Sequence, residues 1–127
     1  MIVHKVVAQR QDKLHSAMSN PGETGCVIYG QLPFLADKAV EAKPPGQCGP
    51  LAAFDDLVWA RGFVASWRAQ KRPLRIFRAG ARKAPISDSW PDTLWIMEDG
   101  RMVHLLDDLM CGTILCSSIK LLEEVKP

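Results

Sequence analysis

The side chains best suited to chemistry are four cysteines (Cys26, Cys48, Cys111, Cys116), three histidines (His4, His15, His104) and two acid pairs, Asp55-Asp56 and Asp107-Asp108. A catalytic thiol needs a base or cation beside it to hold it as thiolate. Cys48, in Gly46-Gln47-Cys48-Gly49, sits in a Gly/Pro loop that suits a nucleophile, but nothing in the sequence brings a histidine to it. Structural zinc needs close ligand pairs such as C-x2-C with a matching second pair. Cys111-x4-Cys116, with His104 upstream, lies outside those spacings. Four cysteines allow three disulfide pairings, yet the chain carries no mark of secretion. Free cysteine is among the most buried residue types, so small core hydrophobes are the simpler reading. Adjacent acids before a helix are more often caps than a catalytic pair. Phosphate-binding, dinucleotide and G-x-S-x-G signatures are missing from the sequence. The expectation is a protein without cofactor or metal that acts by binding, with an enzyme lacking a recognisable motif as a lesser alternative.

Charge is the most uneven property. From Leu57 to Ser87 there are no acids and eight bases: Arg61, Arg68, Lys71, Arg72, Arg75, Arg78, Arg82 and Lys83. From Asp88 to Pro127 eight acids stand against three bases. The basic segment could neutralise phosphates, with Trp90 free to stack on an unpaired base. Its other use is to pack beside the acidic C-terminal part. The whole-chain pI of about 8.4 is below what a strongly basic nucleic-acid domain shows. Nucleic acid is therefore the second choice of partner.

The first choice is protein, including a second copy of the chain. Four tryptophans and five methionines are side chains enriched at interfaces. Trp59 and Trp67 stand about 80° apart round a helix, so one can leave the core. Trp95, Met97, Met102 and His104 share one face of a hairpin that is too apolar for water. The interface expected is Trp59, Trp95, Met97, Met102 and His104.

The elements that must position these residues follow from pattern. Ile2 to Val7 is a β-branched strand, with Leu14 to Met18 as hairpin partner and a turn at Ser19-Asn20-Pro21-Gly22. Cys26 to Tyr29 is a short strand ended by Gly30. The stretch after Pro33 reads equally as a short helix or as an edge strand over Lys38 to Ala42, and Lys43 to Pro50 as a loop. A helix is expected over about 56–70, capped by Asp55, stapled by Phe54 and Trp59, and stopped by Pro73. Gly62 within it would let a strand backbone approach. Leu74 to Arg78 returns as a strand, and Gly80 to Pro91 as a loop. Thr93 to Met97 and Met102 to Leu105 form a hairpin about Asp99-Gly100, with Trp95 opposite His104 and Ile96 opposite Val103. Leu106 to Met110 is one helical turn. Thr113 to Ile119 and Lys120 to Val125 are strand, bend and strand.

Val3-His4-Lys5-Val6-Val7, then Gly49-Pro50-Leu51-Ala52-Ala53-Phe54-Asp55-Asp56-Leu57, Arg75-Ile76-Phe77-Arg78, Gly112-Thr113-Ile114-Leu115 and Ile119 to Val125 occur in an order that resembles small uncharacterised proteins of phages and mobile elements. The resemblance spans most of the chain, and the 93–105 hairpin looks like an insertion in it. It rests on turns, a cap and strand residues, so it implies a fold and carries over no catalytic residue.

The 127 residues, 47% apolar and 24% charged, suffice for one core. The reading is a single domain over 1–127 of class α+β, a mostly antiparallel sheet with one main helix packed on one face. Apolar runs fall well short of the ~18 residues of a membrane span. Met1 to Asp12 lacks the apolar stretch of a secretory signal, so a cytoplasmic chain is expected.

Overall fold

The computed structural model describes residues 1–17, 27–42, 51–66, 73–84, 95–98, 101–104 and 112–126, with 95–98 and 101–104 as backbone. The strands are β1 (Ile2–Arg10), β2 (Lys13–Ser16), β3 (Ile28–Gln31), β4 (Phe34–Leu35), β5 (Val40–Glu41), β6 (Leu51–Phe54), β7 (Leu74–Lys83), β8 (Trp95–Glu98), β9 (Arg101–His104) and β10 (Thr113–Val125). Among the described residues there is one helix, α1, spanning Leu57–Ser66.

The sheet closes on itself. β1 pairs antiparallel with β7 from Ile2↔Gly80 to Ala8↔Leu74. β7 pairs with β10, β10 with β6 at Thr113↔Phe54 to Cys116↔Leu51, and β6 returns to β1 at His4↔Phe54. These four strands make a small barrel. β2, β3 and β4 extend it from the outer edge of β1, and β5 lies against β10. β10 can serve both walls because register shifts at Cys116/Ser118 and Leu121/Glu123 bend it.

Side-chain alternation on the strands separates two cores. Val3 and Val7 of β1 face inward with Leu51, Ala53, Phe77, Ala79, Ala81, Cys116, Ile119 and Leu121, joined by Leu14, Val27 and Tyr29. Val6 faces outward and meets Ile76, Phe54, Ala60 and Phe63 under α1. The Phe54 and Phe63 rings lie 5.7 Å apart, within the range where tilted aromatic pairs attract.

The expected α+β class is overturned: the fold is mostly β, a closed barrel with extra strands, and α1 is an accessory on its outer wall. Three stretches account for the difference. Leu51–Phe54 is a strand where the lead-in to a helix was expected. β7 continues through Gly80 to Lys83, and β10 is one bent strand with no break at Ser118. Together they supply the pairings that close the sheet. After Pro33 the chain forms the short strands β4 and β5, so the edge-strand alternative holds. The β8–β9 register is the expected one, Trp95↔His104 and Ile96↔Val103. The turn at Ser19 to Gly22, the loop at Lys43 to Pro50 and the turn at Leu106 to Met110 lie outside the described residues.

The helix also starts one residue later than its sequence implies. Asp56 Oδ1 accepts from the Val58 N–H at 2.9 Å, so Asp56 is the cap and the Phe54–Trp59 staple is replaced by the Phe54–Phe63 contact. The Asp55 N–H instead donates to the Gly112 carbonyl at 2.8 Å. Gly112 has φ +79, and a Cβ there would lie 2.1 Å from Trp59 Cδ1. Trp59 therefore lies flush on bare backbone. Gly62 is different, since a Cβ there meets nothing within 4 Å, and the close strand approach expected of it is absent.

Two substitutions separate these glycines. Gly62→Ala should raise stability by up to about 1 kcal/mol, because a helix-interior glycine gives up that much relative to alanine. Gly112→Ala should lower it by about 2 kcal/mol or more through a strained φ and displacement of Trp59. Urea denaturation of both variants checks the pair.

Candidate functional site

Lys5 occupies an inward position of β1, between Val3 and Val7, and is 7% exposed. A charge there needs partners, since stripping an ammonium of water costs several kcal/mol. Its Nζ donates to the Ala52 carbonyl of β6 at 2.5 Å and lies 4.9 Å from the centre of the Tyr29 ring. Burial lowers the Lys5 pKa from 10.5 to about 8, against an opposing electrostatic effect of Cys116. Cys116 is fully buried, with Sγ 3.9 Å from the Ile114 carbonyl. Burial pushes its thiol up, while Lys5 and the N-terminal ammonium pull it down. A thiol so placed stays protonated at neutral pH, which removes the nucleophile from this pair. His15 is also fully buried, with Nδ1 2.9 Å from the Ser16 carbonyl and Nε2 without a partner among the described residues. No group of three His, Cys, Asp or Glu close enough to hold a metal ion occurs among the described residues. Cys26, Cys48 and Cys111 lie outside those residues.

The basic segment divides in two. Arg75 grips Glu124, with Nε on Oε2 and Nη2 on Oε1 at 2.9 Å, and Nη1 donates to Gln9 Oε1 at 2.8 Å. The hydrogen bond to Glu124 raises the Arg75 pKa further. Arg78 Nε donates to Glu123 Oε1 at 2.7 Å, from the strand position directly opposite. Here the basic stretch meets the acidic C-terminal one inside a single chain. Arg61, on α1, reaches the Lys126 carbonyl at 3.4 Å. Arg82 and Lys83 are exposed at the end of β7 and form no ion pair among the described residues. Arg68, Lys71, Arg72 and Trp90 lie outside those residues.

Of the expected interface, Trp59 is 44% exposed with its ring on Gly112. The side chains of Trp95, Met97, Met102 and His104 lie outside the described part of the structure. The most exposed large apolar side chain described is one that the sequence did not single out. Phe34, on β4, is 79% exposed, and Ile28 on the neighbouring β3 is 45% exposed. With Leu32, Leu35 and Ala36 they surround a shallow hollow of about 500 Å3. β4 pairs with β3 at Gly30↔Leu35 and Gln31↔Phe34, and among the described residues it ends the sheet, with no backbone partner on its other edge. The hairpin is held by Asp12, whose carbonyl accepts from Leu32 N at 2.7 Å and whose Oδ2 accepts from Gln31 Nε2 at 2.8 Å.

Comparison with family models, curated proteins and solved structures found no match for this chain. The resemblance to proteins of phages and mobile elements gains nothing from them. No helix is long and apolar enough to cross a membrane among the described residues.

The Lys5 site carries a pH signature. Its proton is held more tightly by the unfolded chain than by the folded one. The cost of the buried ammonium, about 3 kcal/mol, is fully present below about pH 8 and is relieved as pH rises toward 10.5. Lys5→Met lacks this dependence. Stability measured by urea denaturation should therefore shift in favour of the wild type by about 3 kcal/mol, relative to Lys5→Met, between pH 7 and pH 10.5.

Proposed function

We propose that this protein is a non-catalytic interaction module that self-associates through the β3–β4 edge. The single observation behind the proposal is Phe34, a large aromatic side chain held four-fifths in water beside an apolar hollow. A two-fold interface needs a patch that complements itself. This patch offers both parts: Phe34 is the knob, and the space bounded by Ile28, Leu32 and Leu35 is the hole. The two-residue edge of β4 supplies backbone donors and acceptors that an antiparallel copy of β4 can satisfy, as in strand addition. A fold whose core is already complete gains nothing from an exposed phenylalanine, whereas burial of one in an interface contributes roughly 2 kcal/mol per copy.

Light scattering over a dilution series tests this reading. The wild type should run as a dimer that dissociates on dilution, and Phe34→Ser should run as a monomer whose thermal stability matches that of the fully diluted wild type. A wild type that is monomeric throughout, or a Phe34→Ser variant that remains dimeric, would remove the proposal.

A further inference from the structure

We propose that the outer face of β1, β7 and β10 around Gly80 binds single-stranded nucleic acid. This surface is separate from the β3–β4 edge, and a different observation carries it. Ile2, Gly80 and Lys120 stand side by side on three adjacent strands, as the pairings Ile2↔Gly80 and Lys120↔Gly80 require. A Cβ at Gly80 would meet nothing within 4 Å, so the middle of the row is bare backbone under open space. Ile2 is 49% exposed on one side, and Lys120 is exposed on the other. The row is about 10 Å wide, two strand spacings. It is a stretch of bare backbone between two larger side chains, against which a planar base can lie.

The charge around this stretch matches the phosphates of such a strand. Arg82, two positions along β7 from Gly80 and so on the same face, is exposed, as is Lys120. Neither has an ion pair among the described residues. Glu41, paired with Ser118 from the other edge of β10, bounds the patch on that side. Farther down β7 the arginines belong to Glu123 and Glu124, so the chain neutralises one half of its basic strand and leaves the other half open. That division distinguishes a polyanion site from a general surplus of arginine. A single strand fits better than a duplex, because only unpaired bases present their faces to a surface of this kind. Reversing Arg75 or Arg78 would place acids beside Glu123 and Glu124, so the informative positions are Arg82, Lys120 and Gly80.

The test is fluorescence anisotropy with labelled oligothymidylate and oligouridylate at about 50 and 200 mM salt, where affinity should fall steeply as released counterions are replaced. Arg82→Glu with Lys120→Glu should weaken binding by about tenfold or more at low salt, since two phosphate contacts are lost. Arg10→Glu with Lys13→Glu, the same charge change at the β1–β2 turn, should leave it within about threefold. Gly80→Val, whose side chain has room, should weaken binding several-fold without changing the salt slope, because it covers the bare backbone and leaves the cations in place. Four results would each overturn the proposal: no binding at low salt, equal losses in the two charge-reversal pairs, displacement by polyglutamate as effective as by unlabelled oligonucleotide, or a duplex that binds as tightly as the single strand.

Discussion

The barrel depends on its narrowest seam. β1 and β7, β7 and β10, and β10 and β6 are joined by runs of backbone pairs, but β1 and β6 meet at the single position His4↔Phe54. One residue farther along β1, the Lys5 ammonium crosses the gap and takes the Ala52 carbonyl. A side chain thus does the work of a backbone bond where the two strands have diverged. The ammonium is held at a cost, because it is buried among Val3, Val7 and Cys116, and the face of Tyr29 repays part of that cost with its negative quadrupole. Removing one partner of a buried charge is more damaging than replacing the charge by an apolar side chain of similar shape. On that ground the lysine is more a device for closing the sheet in one register than a source of net stability.

Everything outside the barrel is arranged by the faces this closure creates. Alternation on β1 sends Val3, Lys5 and Val7 inward and leaves Val6 outside, where it would be exposed without α1. Ala60 and Phe63 of the helix cover it together with Ile76, which explains why a helix with only two buried residues is held in place. The same outward rows continue along β7, from Ile76 to the Arg78–Glu123 pair and then to Gly80. They pass from apolar and covered, through ion-paired, to open.

Local features of this fold were legible in the sequence, and closure was not. The opening strand, the β1–β2 hairpin, the 95–104 register and the body of the helix all depend on neighbours within a few residues, and each was readable. What failed depends on distant partners. Leu51–Phe54 looks like the approach to a helix until β10 is placed beside it, and Gly80 looks like the start of a loop until Ile2 and Lys120 flank it. The candidate sites divide in the same way. The pairing of basic and acidic segments was among the readings of the charge pattern, and the structure shows it at Arg75 and Arg78. Nothing in the sequence sets Phe34 apart from the other apolar residues, since exposure cannot be read from residue type. Lys5 did carry a signal, a single lysine inside an otherwise apolar β-branched strand, but the pattern alone does not tell a buried lysine from a solvated one.

β10 pairs with β6 and β5 along one edge and with β7 along the other, and it follows all the other described strands in chain order. During synthesis the wall between β6 and β7 cannot form until these residues leave the ribosome. Until then β1 through β4 can assemble as local hairpins, and β7 can join β1, but β6 and the free side of β7 remain unpaired edges. Such edges are the usual templates for aggregation of nascent or shortened chains. The requirement for β10 therefore sets a kinetic hazard: synthesis that stalls before β10 is made leaves an open, sticky sheet, and β10 closes it.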